Sequence, residues 1–145
     1  MRIARVHQLI VALSAFALIG CSGGDSGPPL FNLSGTVTFD GQPLQNGAVF
    51  FEPTEGNTGP TGMATVTDGK FDTSLEGNKG HIGGKMMVKV KAYPAPTASE
   101  EEVAGPVPFN EWAEAMELPA EDSTRDIAVP KEAANPPKPR RQNDA

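Results

Sequence analysis

The only cysteine of the chain, Cys21, stands directly behind an apolar run and is the residue type best suited to covalent modification. The run from 9 to 18 has one polar interruption, and Arg2 and Arg5 precede it. A positive start, a short apolar stretch and a small residue before the cut are typical of a secretory signal peptide. A membrane-spanning helix needs about 20 apolar residues, so the run is too short to hold the protein by itself. We therefore predict cleavage between Gly20 and Cys21.

The four residues Leu18-Ile19-Gly20-Cys21 resemble the lipobox of bacterial lipoproteins, which reads Leu, a small or aliphatic residue, Gly or Ala, and Cys. The resemblance implies that the Cys21 thiol receives a diacylglycerol, that a lipoprotein signal peptidase cuts ahead of it, and that the new amine is acylated, for example with palmitate. Two or more acyl chains give stable membrane attachment. The implied location is the cell membrane on its periplasmic or cell-surface side, and Ser22 resembles the outer-membrane sorting choice. The alternative is an ordinary secretory signal with an unmodified cysteine.

Composition narrows the classes of partner. No cysteine follows Cys21, which leaves none for a disulfide or a thiolate metal site, and no cofactor is expected. The formal charge of −6 becomes two units more negative once Arg2 and Arg5 are removed. A protein that binds nucleic acid must neutralise phosphates with Lys and Arg, so the acidity argues against that function. It also gives no attraction to anionic lipid headgroups, so the acyl chains would anchor the protein alone.

Shifts in composition divide the chain into four parts. Residues 1–20 form the signal peptide, and residues 21–30, rich in Gly and Pro, form a lipidated flexible tether. Residues 31–130 carry nearly all the remaining apolar side chains and predict one folded domain. Residues 131–145 are basic and proline-rich without a large hydrophobe, so we expect a disordered tail. Its charge leaves open a contact with an anionic partner.

The central segment alternates apolar and polar residues with a period of two, which indicates β-strands that are buried on one face. We predict six strands, at residues 33–39, 48–51, 62–67, 71–75, 85–92 and 124–129. Residues 48–51 are a continuous apolar run, short enough to be a strand buried on both sides. Their inward side chains would be Leu33, Val37, Phe39, Phe71, Leu75, Met86, Val88, Val90, Ala92, Ile127 and Val129. Asp40-Gly41 and Asp68-Gly69 predict tight turns, since Asp and Gly tolerate positive φ. The sequence therefore predicts an all-β domain, a single antiparallel β-sandwich of six to seven strands.

Residues 34–44, 47–51 and 62–71 together resemble the carboxypeptidase regulatory-like domain, a transthyretin-type (prealbumin-like) β-sandwich. That family's pattern runs G-x-V-x-x-D-G-x-P-L, then a-x-V-x-F, then T-D-x-x-G-x-F. This chain lacks the extra position between Asp68 and Gly69, which suggests a tighter hairpin. The likeness covers about residues 33–93. It implies an accessory module without catalytic residues, as in small planctomycete lipoproteins that combine a lipobox with one such domain.

Catalytic patterns are weak. His7 falls within the signal peptide, so His81 is the only histidine of the mature chain, and it lies in a glycine-rich loop. The serines of the mature domain lack the G-x-S-x-G setting that exposes a nucleophile; those considered are Ser34, Ser74, Ser99 and Ser123. A metal site at His81 would need partners that the sequence does not indicate, and we expect a solvent-exposed loop histidine.

Carboxylates are in excess between residues 100 and 126, balanced there only by Arg125. An acidic loop can supply the oxygen ligands of a weak calcium site, although no twelve-residue calcium loop is present. The members of this acidic segment are Glu100, Glu101, Glu102, Glu111, Glu114, Glu117, Glu121, Asp122 and Asp126. A solvated acidic surface is favoured over a dedicated metal site, and no metal ligand is assigned.

Trp112 is the only tryptophan, and its neighbourhood has helical spacing. Phe109, Trp112, Ala113 and Met116 fall at i, i+3, i+4 and i+7, and Asn110 could cap the start. We therefore consider a short helix near 109–117, with an irregular extended connection as the alternative. Trp112 would either anchor a partner or close the open end of a small core, which is favoured.

These patterns predict a membrane-anchored cell-envelope lipoprotein whose β-sandwich binds or scaffolds and is not an enzyme. Its expected partners are the bilayer, through acylated Cys21, and an envelope protein or polysaccharide. One alternative is a calcium-dependent carbohydrate- or polymer-binding module that uses the acidic residues 100–126. Another is a structural envelope protein that self-associates through an unpaired edge strand.

Overall fold

The computed structural model describes residues 27–95 and 105–135, and within these ranges the chain is built almost entirely from β-strands. They are β1 (Leu33–Phe39), β2 (Gln42–Pro43), β3 (Asn46–Pro53), β4 (Gly62–Thr67), β5 (Lys70–Asp72), β6 (Gly84–Ala92), β7 (Glu111–Leu118), β8 (Ser123–Thr124) and β9 (Ile127–Val129), followed by a 3-10 helix (Lys131–Ala134). Seven strands form a curled sheet in the order β2-β1-β5-β4-β3-β6-β7. Neighbours on this path are antiparallel. The all-β prediction is confirmed, while a division into two facing sheets stays a prediction.

The segment predicted as one strand at 124–129 is two short strands, β8 and β9, which both run parallel to β1. Between them the backbone passes very close to Gly35: a Cβ placed there would lie 1.9 Å from the carbonyl oxygen of Arg125. The N–H of Thr36 donates to the side-chain Oδ1 of Asp126 at 3.1 Å instead of to a backbone carbonyl. The backbone hydrogen bonding between β1 and the segment of β8 and β9 is therefore interrupted at Thr36, because the side chain of Asp126 replaces a main-chain acceptor.

The core follows the predicted alternation with one exception. The buried apolar side chains are Leu33, Val37, Leu44, Ala48, Val49, Phe51, Ala64, Val66, Phe71, Met86, Val88, Val90, Ala92, Phe109, Leu118, Ile127 and Val129, and Phe39 packs against them half-buried. Leu75, predicted to point inward, is 59 % exposed. The reason is that β5 ends at Asp72, whose Oδ1 accepts from the N–H of Ser74 at 2.8 Å and so turns the chain before Leu75.

Both predicted Asp-Gly turns are present. Asp40 and Gly41 have φ of 49° and 79°, and Asp68 and Gly69 have φ of 50° and 75°. The flanking residues pair directly, Phe39 with Gln42 and Thr67 with Lys70. Two central residues with positive φ are the hallmark of the type I′ turn, whose twist matches that of the strands it joins.

The short helix considered near 109–117 is wrong, because these residues form β7. This strand pairs with β6 over its whole length, from Lys91 opposite Glu111 to Gly84 opposite Leu118. Its half-buried or buried side chains are Trp112, Met116 and Leu118, which share the even positions, whereas Ala113 is exposed. All eight residues of β7 have a cross-strand neighbour in β6, and alternate pairs exchange backbone hydrogen bonds, which outweighs the weak helical spacing. Asn110 is therefore not a helix cap.

Candidate binding site

A concavity with a mainly apolar lining lies at the end of the sheet where β1 finishes and β3 begins. We call it the distal pocket; its volume is about 280 Å³. Its lining residues are Phe39, Gln42, Pro43, Leu44, Gln45, Asn46, Tyr93, Ala95, Pro106 and Pro108. A pocket of mainly apolar and aromatic lining with a few polar groups is the usual form of a small-molecule or peptide site.

Two hydrogen bonds, one from a side chain and one between backbone groups, link Asn46 to the segment at Tyr93 and Pro94 beside the distal pocket. The amide of Asn46 donates to the carbonyl oxygen of Pro94 at 2.6 Å, and the N–H of Tyr93 donates to the carbonyl oxygen of Asn46 at 2.9 Å. These bonds hold the backbone at Tyr93, a residue that is 42 % exposed. Phe39, which also lines the pocket, packs against Phe109 with a distance of 5.1 Å between ring centroids. The pocket therefore presents an accessible aromatic residue beside side-chain amides.

The distal pocket lies opposite the point where the N-terminal segment enters the fold. Phe31 and His81 exchange backbone hydrogen bonds of 2.8 and 3.0 Å just before β1 begins at Leu33. β1 then runs about 20 Å to Phe39, which lines the pocket. Residues 27–30 are exposed, so the chain approaches β1 over the surface. The point where the chain enters the fold, at Phe31, is thus separated from the pocket by the length of β1.

A second, more open concavity lies on the outer face of the sheet, and we call it the threonine groove. Its volume is about 520 Å³, and its hydroxyl-bearing lining residues are Ser34, Thr36, Thr65, Thr67 and Thr124. The groove is open because β4 and β5 are joined by a single residue pair. The N–H of Thr65 in β4 donates to Oδ1 of Asn78 at 3.2 Å. Its surface suits hydrogen bonding to a polar polymer, but it encloses little of any ligand.

His81 does not lie on the surface as predicted; its side chain is fully buried. The ring lies 5.9 Å from that of Phe51 and 6.2 Å from that of Phe31. Burial lowers the pKa of His81, against a smaller raising effect of Asp122. Nε2 has no hydrogen-bonding partner among the described residues, so no serine is paired with this imidazole there. His81 is therefore part of the packing and lacks the geometry of a general base.

The acidic residues do not converge on one site. Glu111, Glu114 and Glu117 lie along β7, whereas the carboxylates of Asp122 and Asp126 bond the chain near β1, at Asn32 and Thr36. Within residues 27–95 and 105–135, no group of three or more acidic, histidine or cysteine side chains is placed to hold a metal ion. Glu100, Glu101 and Glu102 lie outside the described residues, as does Ser99.

Two of the three serines in the described residues, Ser34 and Ser74, make side-chain contacts with neighbouring residues. Ser34 Oγ lies 3.5 Å from Thr124 Oγ1, and Ser74 Oγ donates to Asp72 Oδ1 at 2.6 Å. Ser123 Oγ is buried without a hydrogen-bonding partner in the described part of the chain. None of these hydroxyls is bonded to an imidazole. Cys21 and Gly20 fall outside the described residues, so lipid attachment and cleavage stay predictions.

The sequence did not indicate the distal pocket. Its polar residues, Gln42, Gln45 and Asn46, are spread along a turn and a strand start, and Tyr93 follows the end of β6. They meet only because the sheet order places the end of β1 and the beginning of β3 near the end of β6. The one signal present in the sequence is Tyr93 itself, the only tyrosine, which follows the alternating strand where exposure is expected.

Comparison with protein-family models, with curated proteins and with solved structures finds no match to this chain. In the described part of the chain, no helix has the length and apolar character required to cross a bilayer.

Proposed function

We propose that this chain is a membrane-anchored cell-envelope lipoprotein whose β-domain is a non-catalytic binding or scaffolding module. The anchor is the acylated thiol of Cys21, and the bound surface is the distal pocket. The likeness of residues 33–93 to the carboxypeptidase regulatory-like domain supports an accessory role. The partner is a protein or polysaccharide of the envelope, and the location is the periplasmic or cell-surface side, in the outer membrane.

The observation that carries this proposal is the placing of the distal pocket at the end of β1 remote from the N-terminal segment. At most about 40 Å of extended chain separates Cys21 from Leu33, the residue at which β1 begins. A flexible tether of this length, joined to the end of β1 opposite the pocket, would let the pocket turn away from the membrane, where an envelope partner has access.

The lipid part is tested by mass spectrometry of the protein purified from its own membrane. We expect the N-terminal peptide to begin at Cys21 and to carry two or three acyl chains. We expect the variant Cys21→Ser to be absent from the membrane fraction. An unmodified thiol, or a chain that still begins at Met1, would refute the anchor.

The binding part is tested by photo-crosslinking in living cells. A photoreactive phenylalanine analogue is placed at Tyr93, and the control position is Leu75, which is also apolar and exposed but lies away from the distal pocket. We expect a discrete crosslinked product from position 93 and none from position 75. Equal labelling at both positions would refute the distal pocket as the bound surface.

A further inference from the structure

β7 is a long strand at the end of the sheet whose second edge is unpaired within the described residues. It pairs with β6 over eight residues and is the last strand of the sheet order. At the other end of the path, β2 has two residues, and β8 and β9, which pair with β1, have two and three. An unpaired strand exposes a row of N–H and C=O groups that can accept another extended segment.

The side chains of β7 leave this edge accessible. Five of its eight residues are exposed: Glu111, Ala113, Glu114, Ala115 and Glu117. Trp112 and Met116 are only half-buried, although the β6 residues opposite them, Val90 and Met86, are fully buried. β7 therefore lies at the margin of the core, and an added strand would cover apolar surface that the domain itself leaves open.

The free edge of β7 is also acidic, and the lysines of the neighbouring strand β6 do not neutralise all of its carboxylates. The lysines of β6 are each engaged by a carboxylate: Lys85 by Glu55, Lys89 by Glu52 at 2.6 Å, and Lys91 by Glu111 at 3.3 Å. Glu114 and Glu117 form no ion pair with a described residue. Glu117 lies opposite Lys85, but the amine of Lys85 is bonded to Glu55, so Glu114 and Glu117 have no ion pair of their own in the described part of the chain and Glu111 has one partner.

The charges along β7 determine which kind of extended segment can pair with its free edge. Antiparallel pairing of two copies of β7 would bring Glu114 and Glu117 of both chains into a single seam without a cation, and like charges across strands are destabilising. The three glutamates recur every third residue, on alternating faces of the strand. A fitting segment therefore carries a basic residue at every third position, with apolar residues opposite Trp112 and Met116.

We propose that β7 is a docking strand for an extended basic segment of an envelope protein, which joins the sheet at this edge. The proposal goes beyond the binding role given above, because it names a second surface, separate from the distal pocket, and the chemistry of its partner. It does not depend on lipid attachment, so mass spectrometry of Cys21 and the experiment below can fail separately.

The probe is the synthetic peptide Lys-Val-Thr-Lys-Thr-Val-Lys, labelled for fluorescence anisotropy and titrated with the full-length protein in detergent micelles. Its symmetric pattern places a lysine opposite each glutamate of β7 in either strand direction. The rearranged peptide Lys-Lys-Lys-Val-Val-Thr-Thr has the same composition and charge. We expect the first peptide to bind about tenfold or more tightly than the second, with a change in the emission of Trp112, the only tryptophan.

Charge reversal identifies the surface. The double variant Glu114→Lys and Glu117→Lys is expected to weaken binding about tenfold or more and to bind Glu-Val-Thr-Glu-Thr-Val-Glu instead. Glu121→Lys is the control, because Glu121 is an exposed acid beyond the end of β7. The gain of binding to the acidic peptide shows that the double variant is folded, so a loss of binding is not confused with a loss of structure.

Backbone methylation distinguishes strand addition from simple charge attraction. Methylating alternate peptide amides on one edge of the probe should abolish binding, while methylating the other edge should leave it unchanged, because only one edge faces β7. Equal binding of the rearranged peptide, or indifference to both methylation patterns, would overturn the proposal. So would sedimentation of the unmodified protein as a dimer that the double variant abolishes, since a second copy would then be the occupant.

Discussion

The backbone N–H of Gly83 donates to Nδ1 of His81 at 3.0 Å inside the folded domain. This bond requires Nδ1 to be unprotonated, so the proton of the neutral ring is on Nε2. The ring lies among Phe31 and Phe51 without contact with solvent. A second proton on the ring would break the bond to Gly83 and place a charge in an apolar setting, which is why the pKa of His81 is lowered.

The first prediction concerns stability against acid. The unfolded chain protonates His81 below a pH of about 6.5, whereas the folded chain, in which burial lowers the pKa of His81, protonates it only at a lower pH. Because the unfolded state then binds more protons, the free energy of unfolding falls as the pH drops through that value, by at most about 1.4 kcal/mol per pH unit. Urea unfolding at several pH values between 5.5 and 7.5, followed by the fluorescence of Trp112, measures the slope. His81→Gln, which keeps an acceptor for Gly83 but does not titrate, should remove this slope; an unchanged slope would contradict the assignment.

A second prediction concerns the closest backbone approach at β1. Gly35→Ala would place a Cβ 1.9 Å from the carbonyl oxygen of Arg125, so the segment between β8 and β9 must move. We expect a loss of about 1–3 kcal/mol in the free energy of unfolding, as for other overpacking changes. Gly105→Ala is the matched control, since a Cβ there meets nothing within 4 Å. Similar values for the two variants would show that the approach at Gly35 is not tight.

The third prediction compares the two turns. Gly41 and Gly69 both have positive φ, 79° and 75°, so alanine costs about 1–2 kcal/mol at either position for the backbone alone. At Gly69 the new Cβ would also lie 2.6 Å from Cβ of Pro43, while at Gly41 it meets nothing within 4 Å. Chemical denaturation should therefore show Gly69→Ala to be the less stable variant. The opposite order would mean that the contact between the two turns relaxes freely.

The fourth prediction concerns Asp72. The hydroxyl and the N–H of Ser74 both donate to its Oδ1, at 2.6 and 2.8 Å, and they lower the pKa of Asp72. Ser74→Ala removes the hydroxyl donor and should raise that pKa towards its usual value, whereas Ser74→Thr should preserve it. Carboxyl-detected NMR titration measures both. Because the folded pKa is depressed, the stabilisation from this carboxylate is present above the unfolded pKa and is lost as the pH falls through the folded value.

The sequence by itself determined the strands with local signals. Met86, Val88, Val90 and Ala92 are buried as their alternation predicts, and both Asp-Gly turns form, because period-two burial and positive-φ turns are properties of neighbouring residues. The all-β class follows from the same signals. The lipobox, residues 18–21, is likewise a local pattern, and the proposed lipid anchor is inferred from these four residues alone.

Tertiary structure decided the features that depend on distant partners. Residues 111–118 became β7 because β6 offered an edge to pair with, and His81 became buried because Phe31 and Phe51 enclose it. The distal pocket joins Phe39 to Tyr93 only through the order of strands in the sheet. The spacing of residues along the chain predicts which side chains share one face of a strand. Which residues lie opposite them on the neighbouring strand depends on how the strands pair, and this pairing is a property of the whole fold.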